Sequence, residues 1–595
     1  MLAYFLMIRP TYNKSAAQLV EKPFDLIVIG GGINGTGIAR DASRRGLSVL
    51  LLEKNDFGAG TTAYSSRLIH GGLRYLEHGE ISLVRESLRE RERLLHNAPH
   101  LVKPLPLGIP VYQDSKRPLW MIRVGMWLYD ALSWDRSVPG HQNLSKDEFL
   151  LRFPYVESKG LKGGVLYYDA QVSLPERVSV ENAIDAKNHG AVMLNHADVE
   201  SVHLKNQIAE TNQDAASVTF KDVLTGETLV ARGQSVVNAS GPWVDKILGH
   251  SNVTTGRKIG GTKGIHIVVP RSAAGGLPQN KSGDKESGAL YVEAKDGRPF
   301  FMIPWQQEYL LIGTTDTHYD GDLDKVVATP EDVAYLLDAA NQFLSQKLSQ
   351  SDILFSYAGV RPLPFVQNKN AGAITRKHIT ANHQATRETP VPFFSVIGGK
   401  LTTYRSLAEE VVNTVCQALK YRNNQNKYLN TRWAPLPGAD VKHSNAAELP
   451  VLLESGTETS YADYAKLLYE QTLSPEVSGL TEEQAKHLLN TYGLRAGSVM
   501  ALTLDDPTLK MPVSPHSVMI QAEVIYAVRH EMAQTIADVL MRRSGLALRE
   551  GVGLSALETV SRLMAKELQW SEPERLYQVE VYTETVTTLN QPKKN

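Results

Sequence analysis

Four groups of residues have types and spacings that could do chemistry. In "FDLIVIGGGINGTGIARDASRRGLSVLLLE", Gly30, Gly32 and Gly35 form a G-x-G-x-x-G turn that follows an apolar run and opens a helical pattern. In that setting the first glycine permits the tight turn, and the second lets the backbone approach a pyrophosphate. The third lets helix and strand pack closely, while the helix N-terminus faces the anion. Glu53 ends the next apolar run, where a carboxylate suits an unphosphorylated adenosine ribose. Downstream, "SSRLIHGGLRYLEHGE" gathers Arg67, His70, Arg74, Tyr75, Glu77 and His78 around Gly71 and Gly72, with no clean helical or strand period. Gly398-Gly399-Lys400 adds a second anion-accepting helix start together with a cation. Arg361, in "YAGVRPLP", is held at a fixed angle by prolines, and His266 points to the strand face opposite Ile265 and Ile267. Taken alone, Arg361 reads as a surface arginine and His266 as a structural histidine.

These residues need elements to position them. "FDLIVI", the glycine-opened helix stopped by Gly46, and "LSVLLLE" compose one βαβ unit. "GAVMLNHADVESVHL" and "QSVVNASGPW" read as strands flanking a polar hairpin. "NASGPW" favours FAD over NAD, because in two-dinucleotide FAD folds such a strand returns beside the first glycine loop. "GIHIVVP", "RPFFMIPW" and "YLLIGTTDT" predict an antiparallel sheet, and "RSAAGGLPQNKSGDKESGA" a glycine-rich loop. After the "WAPLPGAD" linker the pattern is helical, with capping boxes at Thr481/Gln484 and Ser571/Glu574 and a stop at Gly493. Ile525, Val528, Met532, Ile536 and Val539 share one face of a helix predicted over residues 521–543.

Composition narrows the class. A chain of 595 residues is long enough for several domains, and a net charge of -1 argues against a nucleic-acid partner. The single cysteine, Cys416, excludes an internal disulfide framework or a cysteine-rich metal site, and no metal is expected. No stretch reaches the roughly 18–20 apolar residues of a membrane span. "MLAYFLMIRP" does not read as a signal peptide and is expected to be a frayed extension. "KRPLWMIRVGMWLYDALSW" sets Trp120, Trp127 and Trp134 among Lys116, Arg117 and Arg123. That pattern fits an interfacial helix or an aromatic-rich buried one.

The segment from "DLIVIGGG" to "RYLEHGE" closely resembles the FAD-dependent glycerol-3-phosphate dehydrogenases. So do "GPWVDK", "TKGIHIVVP", "FMIPW", "IGTTDT", "YAGVRPL" and "GGKLTTYR", in the same order, densely over residues 24–430. The resemblance implies an α/β fold with a two-dinucleotide-type, Rossmann-like FAD domain, and an antiparallel-sheet substrate domain of the glutathione-reductase/D-amino-acid-oxidase kind. A C-terminal all-helical domain would follow. Expected boundaries are an extension over 1–23, a discontinuous FAD domain over 24–100, 165–260 and 350–430, a substrate domain over 101–164 and 261–349, and the helical domain over 431–595.

Carried across by position, the FAD contacts implied are Gly30, Gly31, Gly32, Asn34, Gly35, Glu53, Lys54, Thr61, Thr62, Ser65 and Ser66. His70, Gly71, Gly72, Val199, Ser240, Gly241, Gly399, Lys400, Leu401 and Thr402 complete them. Arg74 and Tyr75 would line the substrate pocket, Arg361 and Lys400 would bind phosphate, and Thr315 and Asp316 would lie nearby. A phosphate dianion calls for fixed cations, and arginine offers a rigid two-pronged donor fork. Oxidising a secondary alcohol also needs a proton acceptor, for which His266 is preferred over His70.

The reaction implied is oxidation of sn-glycerol 3-phosphate to dihydroxyacetone phosphate, with electrons passed to a quinone. The enzyme would sit in the cytoplasm, peripherally on the inner face of the cell membrane, and a homodimer is allowed. An oxidase that reduces oxygen to hydrogen peroxide, and a non-catalytic flavoprotein acting through its helical domain, are the competing readings. Retention of Arg74, His266, Arg361 and Lys400 together argues against the latter. Pro175-Glu176-Arg177 stands where many relatives carry Asp-Ala-Arg.

Overall fold

The run Leu26–Ile29 is buried along its whole length, as a strand covered on both faces must be. In the computed structural model it pairs in parallel with Val49–Leu52 on one side and Val236–Asn238 on the other. The structure describes residues 9–587 except 78, 209–212, 254, 276–287, 307, 368–375, 384–389, 422–429, 442–459 and 516. Val192–Leu194 and Phe393–Ile397 extend the parallel sheet at its two sides, and the antiparallel strand Ile379–His383 closes one edge. Helices Ile33–Arg44, Pro175–Asn188 and Tyr404–Ala418 pack together on the sheet through Ile38, Ala42, Val180 and Leu407. The three strands Ala197–Ile208, Gln213–Asp222 and Thr228–Gly233 form a small antiparallel sheet beside it.

The second layer is a ten-stranded, mostly antiparallel sheet. Thr262–Pro270 lies next to one edge of it, paired with Tyr309–Gly313 on one side and with the edge strand Phe355–Arg361 on the other. Three expected boundaries shift here. Leu161–Val172 runs antiparallel to Val102–Tyr112, so residues 165–172 belong to this sheet and not to the cofactor domain. Phe355–Arg361 and Leu68–Ile69 join it for the same reason, because backbone pairing decides membership.

The C-terminal helices form the all-helical domain expected, and it packs closely on the large sheet. Val528, Ile536, Val539, Leu540 and Leu548 share one apolar core with Leu107, Val268, Trp305 and Phe355 of the large sheet. The "WAPLPGAD" segment is packed as well, with Leu436 fully buried and the carbonyls of Ala434 and Pro435 accepting from Arg40. The helix predicted over 521–543 breaks: Gln521–His530 ends, Met532 takes φ 58°, and a new helical segment begins near Thr535. The apolar period is nevertheless obeyed, since all five predicted face residues are buried. Buried ion pairs meet at the break, where Arg177 and Arg495 both hold the Glu531 carboxylate.

Two further expectations change. The N-terminal extension is anchored from Arg9 onward: Arg9 is buried against Asn195 and Asp222, and Ala16 and Val20 enter the core. The apolar start Met1–Ile8, His78 and most of the glycine-rich loop after Ala274 lie outside the described residues. "GAVMLNHADVESVHL" divides at His196, whose φ of 56° turns the chain from one sheet to the next.

Candidate active site

The cofactor cleft lies at the C-terminal edge of the parallel strands, where open α/β sheets bind ligands. Gly30 has φ 106°, and a Cβ there would meet the Ala239 carbonyl oxygen at 2.7 Å. A side chain at Gly35 would strike the Gly30 carbonyl, so the helix reaches the strand only because both are glycine. Gly32 caps the helix Ile33–Arg44 without a side-chain hydrogen bond, and the helix start lines the cleft, where the helix dipole favours an anion. Glu53 accepts from the Gly31 N–H at 2.6 Å and the Asn55 N–H at 2.8 Å, while burial pushes its carboxyl pKa up. Thr62 Oγ1 accepts from the Ile33 N–H at 3.1 Å.

Gly32, Asn34, Lys54, Thr61, Ser65, Val199, Ser240, Gly241, Gly399, Lys400 and Leu401 line this cleft with Glu53 and Thr62. Gly31, Gly35, Ser66, His70, Gly71, Gly72 and Thr402 do not form its wall; Gly31 and Gly35 serve the turn behind it. Asn55, Asp198, Trp243 and Lys246 line it without having been predicted. Buried Asn34 Oδ1 has no partner among the described residues, and its Nδ2 donates to the Gly398 carbonyl. An anion-accepting helix start, a buried carboxylate and glycine-tight walls together fit the dinucleotide part of FAD.

Beyond the cleft lies a cluster of charged side chains. Lys400 Nζ stands 3.7 Å from the centre of the Tyr75 ring. Burial pushes the Tyr75 hydroxyl pKa up, while the charges of Arg376, Arg361 and the neighbouring Arg74 oppose this and Glu80 adds to it. Arg361 donates to Thr314 Oγ1 at 3.0 Å and to Asp316 Oδ1 at 3.3 Å. Arg376 Nη2 donates to the other Asp316 oxygen at 3.0 Å, and its buried Nη1 has no partner among the described residues. One carboxylate thus aligns two arginines without neutralising both. Burial pushes the Lys400 pKa down to about 7.

His266 lies one strand away. Its Nε2 is 2.9 Å from Ser66 Oγ, and its ring stacks on Tyr357 at 4.9 Å between centroids. Burial, reinforced by Arg361 and Arg67, holds its pKa well below the ordinary value, so the ring is neutral. Thr315 supports the same strand by accepting from the Ile265 N–H at 3.0 Å. His70 is also held below its ordinary pKa by burial, and it packs edge-on against Phe301.

The paired glycines beside His70 are fixed by groups that sequence reading missed. Tyr129 Oη accepts from the Gly71 N–H at 3.0 Å and donates to Asp169 Oδ2 at 2.8 Å. Arg91 secures Asp169 from behind at 2.7 Å. Gly72, at φ 78°, turns the chain beneath the Tyr75 ring. Glu176 and Arg177, at the departure from the usual segment, are fully buried ion-pair partners of Arg67 and Glu531. They brace the site from behind. Arg376 was missed because "ITRKH" has no glycine or proline punctuation to mark it.

Tyr129 belongs to the helix Leu119–Leu132, whose opposite face is apolar and open. Trp120, Trp127 and Trp134 are 63%, 73% and 77% exposed, with Met121, Val124 and Leu128 beside them. The alternative of an aromatic-rich buried helix therefore fails for all three tryptophans, although Met126 and Tyr129 are buried. No helix among the described residues is long and apolar enough to cross a membrane.

The glycine turn, the parallel sheet and the large antiparallel sheet above it define a two-domain, dinucleotide-binding oxidoreductase fold. A family model described as FAD dependent oxidoreductase matches residues 25–384, and one described as the C-terminal domain of alpha-glycerophosphate oxidase matches residues 429–575. A glycerol-3-phosphate dehydrogenase of Synechocystis sp. is 42% identical over 95% of this chain and 97% of its own length. A D-erythritol 1-phosphate dehydrogenase of Brucella abortus is 35% identical over 87% and 94%. The solved structure of a glycerol-3-phosphate dehydrogenase from Bacillus halodurans, complexed with FAD, is similar with a TM-score of 0.73 and 27% identity, covering 97% of this chain and 98% of that one. The chain belongs to the FAD-dependent glycerol-3-phosphate dehydrogenase family.

Proposed function

We propose that this enzyme oxidises sn-glycerol 3-phosphate to dihydroxyacetone phosphate at the pocket around Tyr75, and passes the electrons to a quinone at a membrane surface. The observation that carries this reading is the pairing of Arg361 and Arg376 on Asp316, one strand from a neutral His266, with Lys400 over the Tyr75 ring. Two aligned arginines and a lysine match a phosphate dianion, and the unpartnered Arg376 Nη1 is a donor left over for it. His266 takes the proton from the C2 hydroxyl, with Ser66 orienting the ring. FAD, when bound, supplies the acceptor for the C2 hydride. Asn34, Glu53, Thr62 and the helix start at Gly32 would hold its adenosine and pyrophosphate, and Ser65 and Thr61 line the same cleft.

The exposed face of Leu119–Leu132 supports attachment to one membrane leaflet, with the tryptophans in the headgroup region. Arg123 is exposed on the same helix, while Lys116 and Arg117 at its start pair with Glu293. The experiment is anaerobic turnover of glycerol 3-phosphate with a short-chain quinone, with and without vesicles of anionic phospholipid. Quinone reduction without peroxide formation in air is expected. Peroxide at the rate of substrate loss, with no quinone reduction, would support the oxidase reading instead.

A further inference from the structure

The adenosine end of the cleft is lined by Glu53, Lys54 and Asn55 of the turn at 53–56, and by Ala197, Asp198 and Val199, which open the strand Ala197–Ile208 just after a second turn at Asn195 and His196. The two turns are zipped together: the His196 N–H donates to the Asn55 carbonyl at 2.7 Å, and the Ala197 N–H to the Glu53 carbonyl at 2.7 Å. What holds the zipped pair is the segment of the C-terminal domain where the predicted long helix breaks. His196 Nε2 is 2.9 Å from Asp538 Oδ2. The carboxylate of Asp538 is set by the N–H groups of Gln534 and Thr535 at 2.8 and 3.0 Å, and by Thr535 Oγ1 at 2.8 Å. Asn195 Nδ2 donates to the Met532 carbonyl and to Asp56 Oδ1, both at 3.0 Å. Fully buried Arg543 pairs with Asp56 and donates to the Glu531 carbonyl at 2.6 Å.

We propose that residues 531–543 are the positioning element of the FAD site: Asp538 acts through His196, and Arg543 through Asp56, to hold Glu53 and Asn55 in the register that receives the adenosine ribose. The contacts are suited to this and not to general cohesion. Apolar packing against the large sheet and the Arg177–Glu531 and Arg495–Glu181 ion pairs hold the C-terminal domain to the body, whereas the Asp538 carboxylate, the Arg543 guanidinium and the Met532 carbonyl reach the body at the two turns. An ionised Glu53 accepts from ribose hydroxyls. The break at Met532 is then the geometry that lets one segment present a carbonyl, a carboxylate and a guanidinium to one place.

The test uses the full-length FAD-loaded enzyme and the variants Asp538→Asn, His196→Gln and their combination. On dilution, FAD release is followed by recovery of flavin fluorescence. Release is expected to speed up about tenfold in each single variant, with no further increase in the double variant, because both remove the same contact. The rate of anaerobic flavin reduction by glycerol 3-phosphate in the still-loaded fraction is expected to match the parent, since the flavin end is untouched. His196→Gln leaves the C-terminal turn intact and stands in if Asp538→Asn does not fold. Release within twofold of the parent in both variants overturns the proposal, as does an additive effect in the double variant.

Discussion

The two halves of the site are built in opposite ways. The cofactor cleft is mostly backbone: glycines that admit no side chain, a helix start, and one buried carboxylate held by two N–H groups. The substrate pocket is mostly side chain: four cations, a phenol and two histidines delivered by separate segments. A backbone cradle can be written in one contiguous motif. A charged pocket needs the whole fold to assemble it, and each member is costly to leave unpaired.

The difference can be broken from either side. His266→Gln removes the proton acceptor and should lower kcat by about 10^3, with FAD content unchanged, as read by steady-state kinetics and the flavin spectrum. Arg361→Ala should lower kcat/KM for glycerol 3-phosphate by roughly 10^2 to 10^3, chiefly through KM, because a buried dianion loses a charged partner. Gly30→Ala acts on the other half. Its Cβ would press on Ala239 at a φ of 106°, so FAD affinity should fall by about 10- to 100-fold in equilibrium titration while kcat of the loaded fraction survives.

The smallest effect is a pH dependence that only the charged half can show. Lys400 has its pKa pushed down to about 7, so the free enzyme loses this charge as pH rises through that value. Phosphate binds the charged form. KM should therefore be flat from about pH 6 to 7 and rise toward tenfold per unit above it. Lys400→Arg keeps the charge and should abolish the rise. Because the His266 pKa lies well below its ordinary value, kcat should show no acid limb over the same range.

The same contrast governs what the sequence reveals. Gly30, Gly32, Gly35 and Glu53 are legible because turn sterics and helix-start electrostatics act between near neighbours. Arg361, Lys400 and His266 are visible as residues, but their gathering into one site depends on long-range contacts such as the pairing of Thr262–Pro270 with Phe355–Arg361, and only family resemblance suggests it. Arg376 reaches the pocket through Asp316, a long-range contact with no local mark. The anchoring of Arg9, the break at Met532 and the docking of Arg543 come with buried charge pairs, against the local periodicity that predicts a frayed start and an unbroken helix. The tryptophans of Leu119–Leu132 show the reverse limit: the pattern is plain, but which face meets solvent is settled only by what packs behind Tyr129 and Met126.

The central claim is that a phosphate seated among Arg74, Arg361, Arg376 and Lys400 brings a carbinol to His266 beside the flavin. Its most direct test is anaerobic stopped-flow reduction of the bound flavin by glycerol 3-phosphate and by glycerol at equal concentration, in the parent enzyme and in Arg376→Ala. The account predicts rapid bleaching by glycerol 3-phosphate alone, slowed by about 10^2 in the variant at subsaturating substrate. Equal bleaching by both polyols, or bleaching by glycerol 3-phosphate that is indifferent to Arg376, would contradict it.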